Sequence, residues 1–250
     1  ELQKLNEFYL IGITSSPEII VERVLSRKRD GDSMTEEKIL EKLDIEKGKG
    51  QPADGQQVEK CIDMSDYLIV NDGTVDELKN KLLHFLNLLD GEDRPTFHEI
   101  FMGLSYLWAE RSTRLRRKVG AVIAKDSQQL TAGYNGAPRT LKHSKELGGC
   151  LRDKLNIPSG QRHEMCRGTH AEQNAITQAA KFGISIEGGT LYCNTHPCTI
   201  CTKMIINAGI KKVIYDSDYN DPLSKEILGE QNVLELERYE GLRNPTILRK

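Results

Sequence analysis

Thr169-His170-Ala171-Glu172 is followed further along the chain by His196-Pro197-Cys198-Thr199-Ile200-Cys201. His170, Cys198 and Cys201 supply one imidazole and two thiols, a mixed nitrogen and sulfur ligand set that suits zinc. A zinc ion held by three protein ligands keeps a fourth position open for water, which is the catalytic rather than the structural arrangement. Glu172 lies just beyond His170, so we expect its carboxylate to handle protons there without binding the metal. The competing interpretation is a closed structural zinc site with some other fourth ligand.

The residues around these ligands predict two helices with a strand between them. The run from Ala171 to Ala180 is rich in helix formers and has apolar residues at helical spacing. Thr190 to Cys193 is typical of a short strand. Pro197 suits the first turn of a second helix, which is predicted from Cys198 to Ala208. Each half of the ligand set is therefore expected at a helix N-terminus, where the partial positive charge stabilises thiolates.

The segment upstream of the ligands predicts one more helix and a pair of strands. Phe97 to Glu110 has apolar side chains at helical spacing. Val119 to Ala124 is typical of a strand, and Gln129 to Tyr134 is its expected hairpin partner. These elements place an arginine-rich segment directly before a strand.

That arginine-rich segment, Arg111 to Lys118, is expected to turn some of its side chains toward a substrate pocket. Arginine suits phosphate because its planar guanidinium can bind two oxygens at once, which makes Arg114 and Arg117 candidate phosphate ligands. In the turn after the predicted hairpin, Asn135 could bind a sugar hydroxyl, and Arg139 is a further candidate for the phosphate. The alternatives are a run of solvated surface charges and an ordinary turn.

The first 92 residues predict a separate α/β domain. Apolar runs at Phe8 to Ile13 and at Tyr67 to Asn71 are typical of strands in a parallel sheet, and the first is expected to be buried on both faces. Helices are predicted to begin at Ser16, Thr35 and Val58. A last helix has an apolar face made of Leu78, Leu82, Phe85, Leu86 and Leu89. The polar segment Asp90 to Pro95 predicts the linker, so the second domain is expected to span residues 93–250.

The composition of the 250 residues excludes several classes of protein. A net charge of -2 and an aromatic content of 6% provide neither a basic excess for coating nucleic acid nor material for stacking bases. No apolar run reaches membrane-spanning length, and no signal-peptide pattern opens the chain. Six cysteines in a chain of this length favour a reducing cytoplasm over a disulfide scaffold. Cys61 and Cys193 are predicted to be small core residues. Because the chain starts at Glu1 rather than at methionine, we expect residues upstream of it.

The spacing His-x-Glu followed later by Pro-Cys-x-x-Cys is the signature of zinc-dependent nucleobase deaminases. The other segments that carry a resemblance are Arg111-Ser112-Thr113, Arg116 to Ile123, Gly133 to Arg139, Cys150-Leu151-Arg152, Cys166 to Ile176, Thr190-Leu191-Tyr192, Ala208 to Tyr215 and Ser217-Asp218-Tyr219. On these residues, the chain from about Arg94 onward resembles a deoxycytidylate deaminase of the cytidine deaminase superfamily.

The resemblance implies a cytidine-deaminase-like three-layer α/β/α domain that binds Zn²⁺. It also implies hydrolytic deamination of a deoxycytidine nucleotide, dCMP or dCTP, to the deoxyuridine nucleotide and ammonia, with Glu172 as the catalytic residue. The implied substrate contacts are Ala171, Asn135, Arg139, Arg114 and Arg117. Many members of this family respond to dCTP and dTTP and assemble as hexamers, so a nucleotide effector and a homo-oligomer are expected, whereas a membrane or a nucleic-acid substrate is not.

A second, structural zinc is a further expectation from the resemblance, because some family members hold one. Its candidate ligands are Cys150 and Cys166 with His143 or His98. The alternative is that both cysteines are packed in the core.

The N-terminal half resembles the C-terminal part of a P-loop nucleoside monophosphate kinase. Asp66 to Thr74, followed by a helix that opens at Asp76, is similar to the last strand and helix of that fold. The helix that begins at Ser16 has a basic end, which includes Lys28. The arginines of this end fall where that family has its basic lid segment, or form a solvated helix face; they are Arg23, Arg27 and Arg29. No Gly-x-x-x-x-Gly-Lys-Ser/Thr loop occurs in this half. A kinase-like domain ahead of a deaminase is similar to bacterial anti-phage deaminases that deplete cytosine nucleotides.

Two other functions share parts of this pattern. A tRNA adenosine deaminase has the same metal motif, but the long insertion from Leu141 to Arg167 and the pI near 6.4 favour a free nucleotide. A non-catalytic nucleotide sensor could use the zinc fold for binding alone. Glu172 disfavours the sensor, because a pure binder has no need of a proton shuttle.

Overall fold

A computed structural model describes residues 8–27, 29, 35–48, 50–52, 54–158, 161–219, 221–230 and 234–248. Two positions named above, Glu1 at the start of the chain and the basic residue Lys28, lie outside the described residues. The chain divides into two units, which we call the first and the second unit. The first consists of residues 1–95 together with 240–250, and the second of residues 96–239.

The strands of the described residues are β1 (Ile11–Thr14), β2 (Tyr67–Val70), β3 (Gly120–Lys125), β4 (Gln128–Tyr134), β5 (Thr190–Thr195), β6 (Lys212–Ser217), β7 (Glu235–Arg238) and β8 (Gly241–Leu242). The α-helices are α1 (Pro17–Arg27), α2 (Glu36–Glu46), α3 (Val58–Asp63), α4 (Val75–Asp90), α5 (Phe97–Ala109), α6 (Leu151–Lys154), α7 (Ala171–Phe182), α8 (Thr199–Asn207) and α9 (Pro222–Gly229). Within the part of the chain that is described, none of these helices combines the length and the apolar character needed to cross a membrane.

The first unit is built on a small sheet with β2 at its centre. β2 pairs in parallel with β1 and antiparallel with β8. Tyr67 and Ile69 of β2 pack with Phe85 and Leu88 of α4 in one buried cluster. The alternation of strands and helices in this unit confirms the predicted α/β topology.

Three predictions about buried positions are wrong. β1 is not buried on both faces, because it lies at the edge of its sheet and leaves Ile13 49% exposed. Leu86 is 50% exposed, and Leu88 takes its place on the buried face of α4. Cys61 is exposed because α3 buries none of its residues. Cys193, in contrast, is fully buried as predicted.

The C-terminal segment belongs to the first unit, so the predicted second domain of residues 93–250 extends too far. Leu242 of β8 pairs with Tyr67 of β2. The carboxylate of Glu240 accepts a hydrogen bond from the backbone amide of Val70 at 3.1 Å. These pairings join positions that are far apart in the chain. Local sequence patterns cannot predict such pairings.

The side chain of Arg23 has a structural role in the first unit. Its guanidinium donates hydrogen bonds to the backbone oxygens of Asn71 at 2.6 Å and Gly73 at 2.9 Å. Arg23 therefore ties α1 to the turn that follows β2. The kinase-like character of this unit stays a prediction.

The second unit contains a sheet with the strand order β4-β3-β5-β6-β7. β3 and β4 form the predicted antiparallel hairpin, whose turn residues Asp126 and Ser127 have φ angles of 50° and 60°. β3 is also antiparallel to β5, whereas β5, β6 and β7 run parallel to one another.

Helices cover both faces of this sheet. On one face, Ala121 and Ile123 of β3 belong to a core cluster with residues of α7 and α8. On the other face, Val122 and Ala124 pack with Phe101 of α5. Successive residues of a strand point to opposite faces, so β3 contributes to both cores. The three-layer α/β/α arrangement is as expected.

Two glycines allow the helices to approach the sheet closely. A Cβ atom at Gly120 would collide with the backbone oxygen of Ser105 in α5. A Cβ atom at Gly133 would collide with the backbone oxygen of Ala171 and lie 2.6 Å from the backbone nitrogen of Ala175. Gly133 thus brings the start of α7 against β4.

Candidate active site

The three predicted metal ligands come together at the N-termini of two helices. His170 is the N-cap residue of α7, and Cys198 is the N-cap residue of α8, whose first turn carries Cys201. The Nδ1 atom of His170 lies 3.3 Å from the sulfur of Cys198 and 3.3 Å from the sulfur of Cys201. All three ligand atoms lie within 4.8 Å of one another.

Hydrogen bonds to the sheet and the preceding loop fix the start of α7. The backbone amide of His170 donates to the side-chain oxygen of Gln173 at 2.9 Å. The side-chain nitrogen of Asn174 donates to the backbone oxygen of Tyr134 at 2.7 Å, which ties the first turn to β4. The backbone of Thr169 forms an isolated antiparallel bridge with Gly136. The position of His170 is therefore fixed both by the residue before it and by the helix after it.

The donor set fits a tetrahedral zinc ion. Zinc bonds of about 2.0–2.3 Å to nitrogen and sulfur place neighbouring ligand atoms about 3.5 Å apart, close to the 3.3 Å found between the imidazole nitrogen and each sulfur. Among the described residues, the cluster of candidate ligands contains only these three side chains. The fourth position is thus left to a non-protein ligand, which favours the catalytic over the closed structural arrangement.

The two thiols have different proton affinities. A hydrogen bond with Cys201 lowers the pKa of Cys198 to about 4, and His170 contributes to the same shift. That bond, together with burial, raises the pKa of Cys201 well above its ordinary value. For His170, burial lowers the pKa, but the hydrogen bond to Cys198 and the charge of Glu172 outweigh burial and raise it. The site thus already stabilises one thiolate, which is the form of cysteine that binds metal.

Glu172 lies in the first turn of α7 and is 3% exposed. Burial raises the pKa of its carboxyl group above the ordinary value, and this outweighs the lowering effect of His170. General acid–base catalysis is favoured when the pKa of the group moves toward the working pH, and an upward shift moves a carboxyl group in that direction. The environment of Glu172 therefore suits acid–base chemistry.

A cavity of about 490 Å³ contains the metal ligands His170 and Cys198 and also Glu172 in its lining. This volume lies within the range of small-molecule sites. Guanidinium groups are concentrated in the same lining, which suits an anionic ligand. They belong to Arg114, Arg116, Arg117 and Arg152.

Comparison with known proteins identifies the family. Residues 95–217 match the family described as the cytidine and deoxycytidylate deaminase zinc-binding region. The deoxycytidylate deaminase of Mycobacterium phage D29 is 34% identical over 129 residues, which cover 50% of this chain and 98% of that protein. The chain belongs to the deoxycytidylate deaminase family. We therefore call the second unit the deaminase unit.

Other relatives match a smaller share of their own length. The deoxycytidylate deaminase of Schizosaccharomyces pombe is 34% identical over 158 residues, which cover 63% of this chain and 48% of that protein. The chain thus spans about half the length of this relative. A crystal structure of dCMP deaminase from the cyanophage S-TIM5 in complex with dCMP and dUMP is 31% identical, with 59% of this chain and 99% of that chain covered and a TM-score of 0.47.

Most of the predicted substrate contacts of the deaminase unit line the cavity. Ala171, Asn135, Arg114 and Arg117 are all in its lining. Arg139 is exposed and is not among the lining residues, so the structure does not bring it to the site.

Asn135 has a structural task as well as a place in the cavity. Its side-chain oxygen accepts hydrogen bonds from the backbone amide of Val119 at 2.9 Å and from the hydroxyl of Ser112. Its side-chain nitrogen donates to the backbone oxygen of Arg117 at 2.8 Å. An amide nitrogen carries two hydrogens, so one donor remains for a ligand. The role of Asn135 at the sugar stays a prediction.

Contacts with the protein hold the candidate phosphate ligands in place. Arg117 donates to the hydroxyl of Thr195 at 2.6 Å, and its guanidinium carbon lies 5.9 Å from the centre of the Tyr219 ring. The charge of Arg116 is paired with Asp153 at 2.6 Å. This ion pair leaves Arg116 a weaker candidate for phosphate than Arg114 or Arg117.

The structure does not assemble the predicted second zinc site. The candidate ligands Cys150, Cys166, His143 and His98 form no metal-binding cluster in the described part of the chain. Instead, the sulfur of Cys166 contacts the guanidinium of Arg114 and accepts a hydrogen bond from a backbone amide at 3.3 Å. The Nδ1 atom of His98 lies 2.9 Å from the hydroxyl of Tyr192.

Among the cavity residues that were not identified as site residues from the sequence, two come from the same segment. Arg152 and His163 both come from the long insertion that precedes His170, and both line the cavity. The ring of His163 packs edge-on against that of His170, with ring centres 5.2 Å apart. Arg152 is 3% exposed. No local pattern predicts the burial of this arginine, and its neighbours Leu151 and Asp153 are exposed.

Proposed function

We propose that the chain is a zinc-dependent deaminase that converts a deoxycytidine nucleotide, dCMP or dCTP, to the deoxyuridine nucleotide and ammonia. The proposal depends above all on the buried Glu172 carboxyl group, which shares a cavity with the open three-ligand set. The name of the phage D29 relative, deoxycytidylate deaminase, supports the same reaction.

Zinc held by His170, Cys198 and Cys201 would supply a Lewis acid that lowers the pKa of water. Glu172 accepts a proton from the attacking water and donates it to N3 of the cytosine ring, while the water oxygen bonds to C4. Glu172 then delivers the second proton of the water to the amino group, and the C4–N bond breaks to release ammonia. The raised pKa of Glu172 suits both the acceptance and the release of a proton.

The charge of the cavity supports a phosphorylated substrate. Three arginines line it and form no ion pair with a carboxylate in the described part of the chain; they are Arg114, Arg117 and Arg152. A guanidinium can bind two phosphate oxygens at once. These three arginines are therefore the proposed phosphate ligands, with Asn135 at the sugar.

The direct test is a substrate panel. Zinc-loaded protein is incubated with cytidine, CMP, dCMP, dCTP, single-stranded DNA and tRNA, and the deaminated products are separated by chromatography. We expect product from dCMP or dCTP. Product from adenosine in tRNA alone would support the alternative deaminase, and nucleotide binding without any product would support the sensor.

Replacement of Glu172 by glutamine tests the proton carrier. Glu172→Gln keeps the shape of the side chain but cannot carry the proton, so we expect kcat to fall by about 10²–10⁴-fold. One zinc ion should still be measured per chain by atomic absorption. Glu187→Gln is the matched control, because Glu187 is exposed and lies outside the cavity lining. Turnover by Glu172→Gln at the parent rate would refute the assigned role.

Further properties of the whole protein are proposals that rest on the resemblance. We propose regulation by dCTP or dTTP, a hexameric assembly, a cytoplasmic location and a role in anti-phage defence through depletion of cytosine nucleotides. The first unit is proposed to be P-loop kinase-like. Sedimentation of the protein with and without dCTP and dTTP tests both the assembly and the effectors.

A further inference from the structure

Helix α8 carries two of the three metal ligands but does not cap its own N-terminus. Serine, threonine, aspartate or asparagine normally occupies the N-cap position, where the side chain accepts a hydrogen bond from the first turn. The N-cap residue here is Cys198, and its side chain makes no such bond. The sulfur of Cys198 lies instead 3.3 Å from the Nδ1 atom of His170. The N-cap position of α8 is thus occupied by a candidate metal ligand rather than by a residue with an oxygen side chain.

Asp221 supplies the missing acceptor from another part of the chain. One carboxylate oxygen accepts a hydrogen bond from the backbone amide of Thr199, the first residue of α8, at 2.8 Å. The other accepts from the hydroxyl of Thr199 at 2.6 Å and from the backbone amide of Ser224 at 3.2 Å. Asp221 is 9% exposed and is also the N-cap residue of α9. A single carboxylate therefore caps both helices.

Ser224 forms hydrogen bonds with residues on either side of Cys198. Its hydroxyl donates to the backbone oxygen of Pro197 at 2.8 Å, and it lies 2.8 Å from the hydroxyl of Thr202. Ser224 and Thr202 are both fully buried. The start of α9 thus forms hydrogen bonds with residues 197, 199 and 202, which lie on either side of Cys198 and of Cys201.

We propose that Asp221 and Ser224 are positioning residues for the metal site, which hold the two thiols at the spacing that zinc requires. The inference rests on the proposed function, in that the three ligands must bind zinc. Neither residue belongs to the cluster of candidate ligands. Groups that orient metal ligands are worth about 10–100-fold in metal affinity, and an organised ligand pair needs less rearrangement when the metal binds.

Zinc affinity measured without substrate is the test. The dissociation constant is determined by competition with a chromophoric chelator for the full chain and for Asp221→Ala, Asp221→Asn and Ser224→Ala. We expect Asp221→Ala to weaken zinc binding by about 10–100-fold, and Asp221→Asn to do so less because it keeps one acceptor oxygen. The thiolate-to-metal absorption of the Co²⁺-loaded protein should change in intensity, because it reports the geometry of the two sulfurs.

Thr96→Ala is the matched control. Thr96 caps α5 in the same unit, where its hydroxyl accepts a hydrogen bond from the backbone amide of Glu99 at 3.2 Å. The variant loses a helix cap of the same kind far along the chain from the ligands, so its zinc affinity should equal that of the parent. If Asp221→Ala bound zinc more weakly only because the protein was less stable, Thr96→Ala would also bind zinc more weakly than the parent.

The outcomes separate this inference from the proposed function. If the parent chain does not bind zinc, the proposed function fails. If the parent binds zinc and the Asp221 and Ser224 variants bind it equally well with an unchanged cobalt spectrum, the positioning role is overturned while the proposed function stands. Should Asp221→Ala fail to fold, Asp221→Asn and Ser224→Ala carry the same comparison, because each removes only some of the contacts.

Discussion

At the scale of single residues, burial determines which charged groups can do chemistry. Glu172 and Arg152 are both 3% exposed and both line the cavity. Burial favours the neutral form of the carboxyl group and raises its pKa. A buried guanidinium keeps its charge and needs acceptors instead. The same surroundings thus suit the first residue to proton transfer and make the second a candidate anion ligand.

Arg152 has an unmet need for an acceptor. Its terminal nitrogen donates to the backbone oxygen of Pro158 at 3.0 Å. Its Nε atom is buried and has no hydrogen-bond partner among the described residues. A buried donor without a partner costs about 1–3 kcal/mol, and a phosphate oxygen in the cavity could remove that cost. This side chain is therefore a sharper phosphate candidate than the exposed Arg139.

Replacement of Arg152 by glutamine should impair the use of nucleotides selectively. Loss of a charged hydrogen bond worth about 1.5–3 kcal/mol predicts a fall of about 10–100-fold in kcat/KM for the preferred deoxycytidine nucleotide. Zinc content should stay at one ion per chain. Lys154→Gln is the control, because Lys154 lies on the same short helix but is exposed. Equal losses in the two variants would show that the helix, and not the guanidinium, is what matters.

Local spacing was enough to predict that His170, Cys198 and Cys201 come together, because each of them lies at or next to a helix start that the sequence marks. The arginines that line the cavity could be predicted only in part. Whether an arginine faces a cavity depends on the path of its loop, and Arg139 and Arg152 carry no local signal that distinguishes them. The capping role of Asp221 was likewise hidden, since its partner Thr199 belongs to a different helix.

At the scale of elements, the position of α7 against β4 determines where His170 lies. A methyl group at Gly133 would meet backbone atoms of Ala171 and Ala175, which cannot move aside as a flexible side chain could. The strand β3 and its hairpin with β4 were predictable, because an apolar run followed by a turn and a second strand is a local signal. The exposure of β1 was not predictable, because the position of a strand at the edge of a sheet depends on which other strands pair with it.

Substitution of Gly133 by alanine should therefore displace the start of α7. We expect a loss of about 1–3 kcal/mol in the free energy of unfolding, together with weaker zinc binding because His170 precedes the displaced turn. Gly229→Ala is the control, since a Cβ atom there would meet nothing within 4 Å and alanine favours a helix. Urea unfolding curves and chelator competition measure the two effects. If Gly133→Ala were destabilised but bound zinc as tightly as the parent, the packing of α7 against β4 would not determine zinc binding.

At the scale of the whole molecule, the chain returns at its C-terminal end to complete the first unit. Arg243 is 7% exposed, and its guanidinium donates to the hydroxyl of Ser65 at 2.9 Å and contacts the backbone oxygen of Ile62. β8 contributes only Gly241 and Leu242 to the sheet. A strand this short has too little sequence to be recognised by its pattern, so the predicted domain boundary missed it.

Arg243→Ala should therefore loosen the first unit and spare the deaminase unit. Loss of these buried hydrogen bonds, at about 1–3 kcal/mol, predicts faster amide hydrogen exchange in Tyr67–Val70, the central strand of the first unit. Exchange in Thr190–Thr195 and the deaminase rate should match the parent, because that strand belongs to the other unit. Lys79→Ala is the control, as its ion pair with Asp76 is exposed and such pairs contribute little. Equally accelerated exchange in both strands would mean that the two units unfold together and that the division of the chain has no energetic meaning.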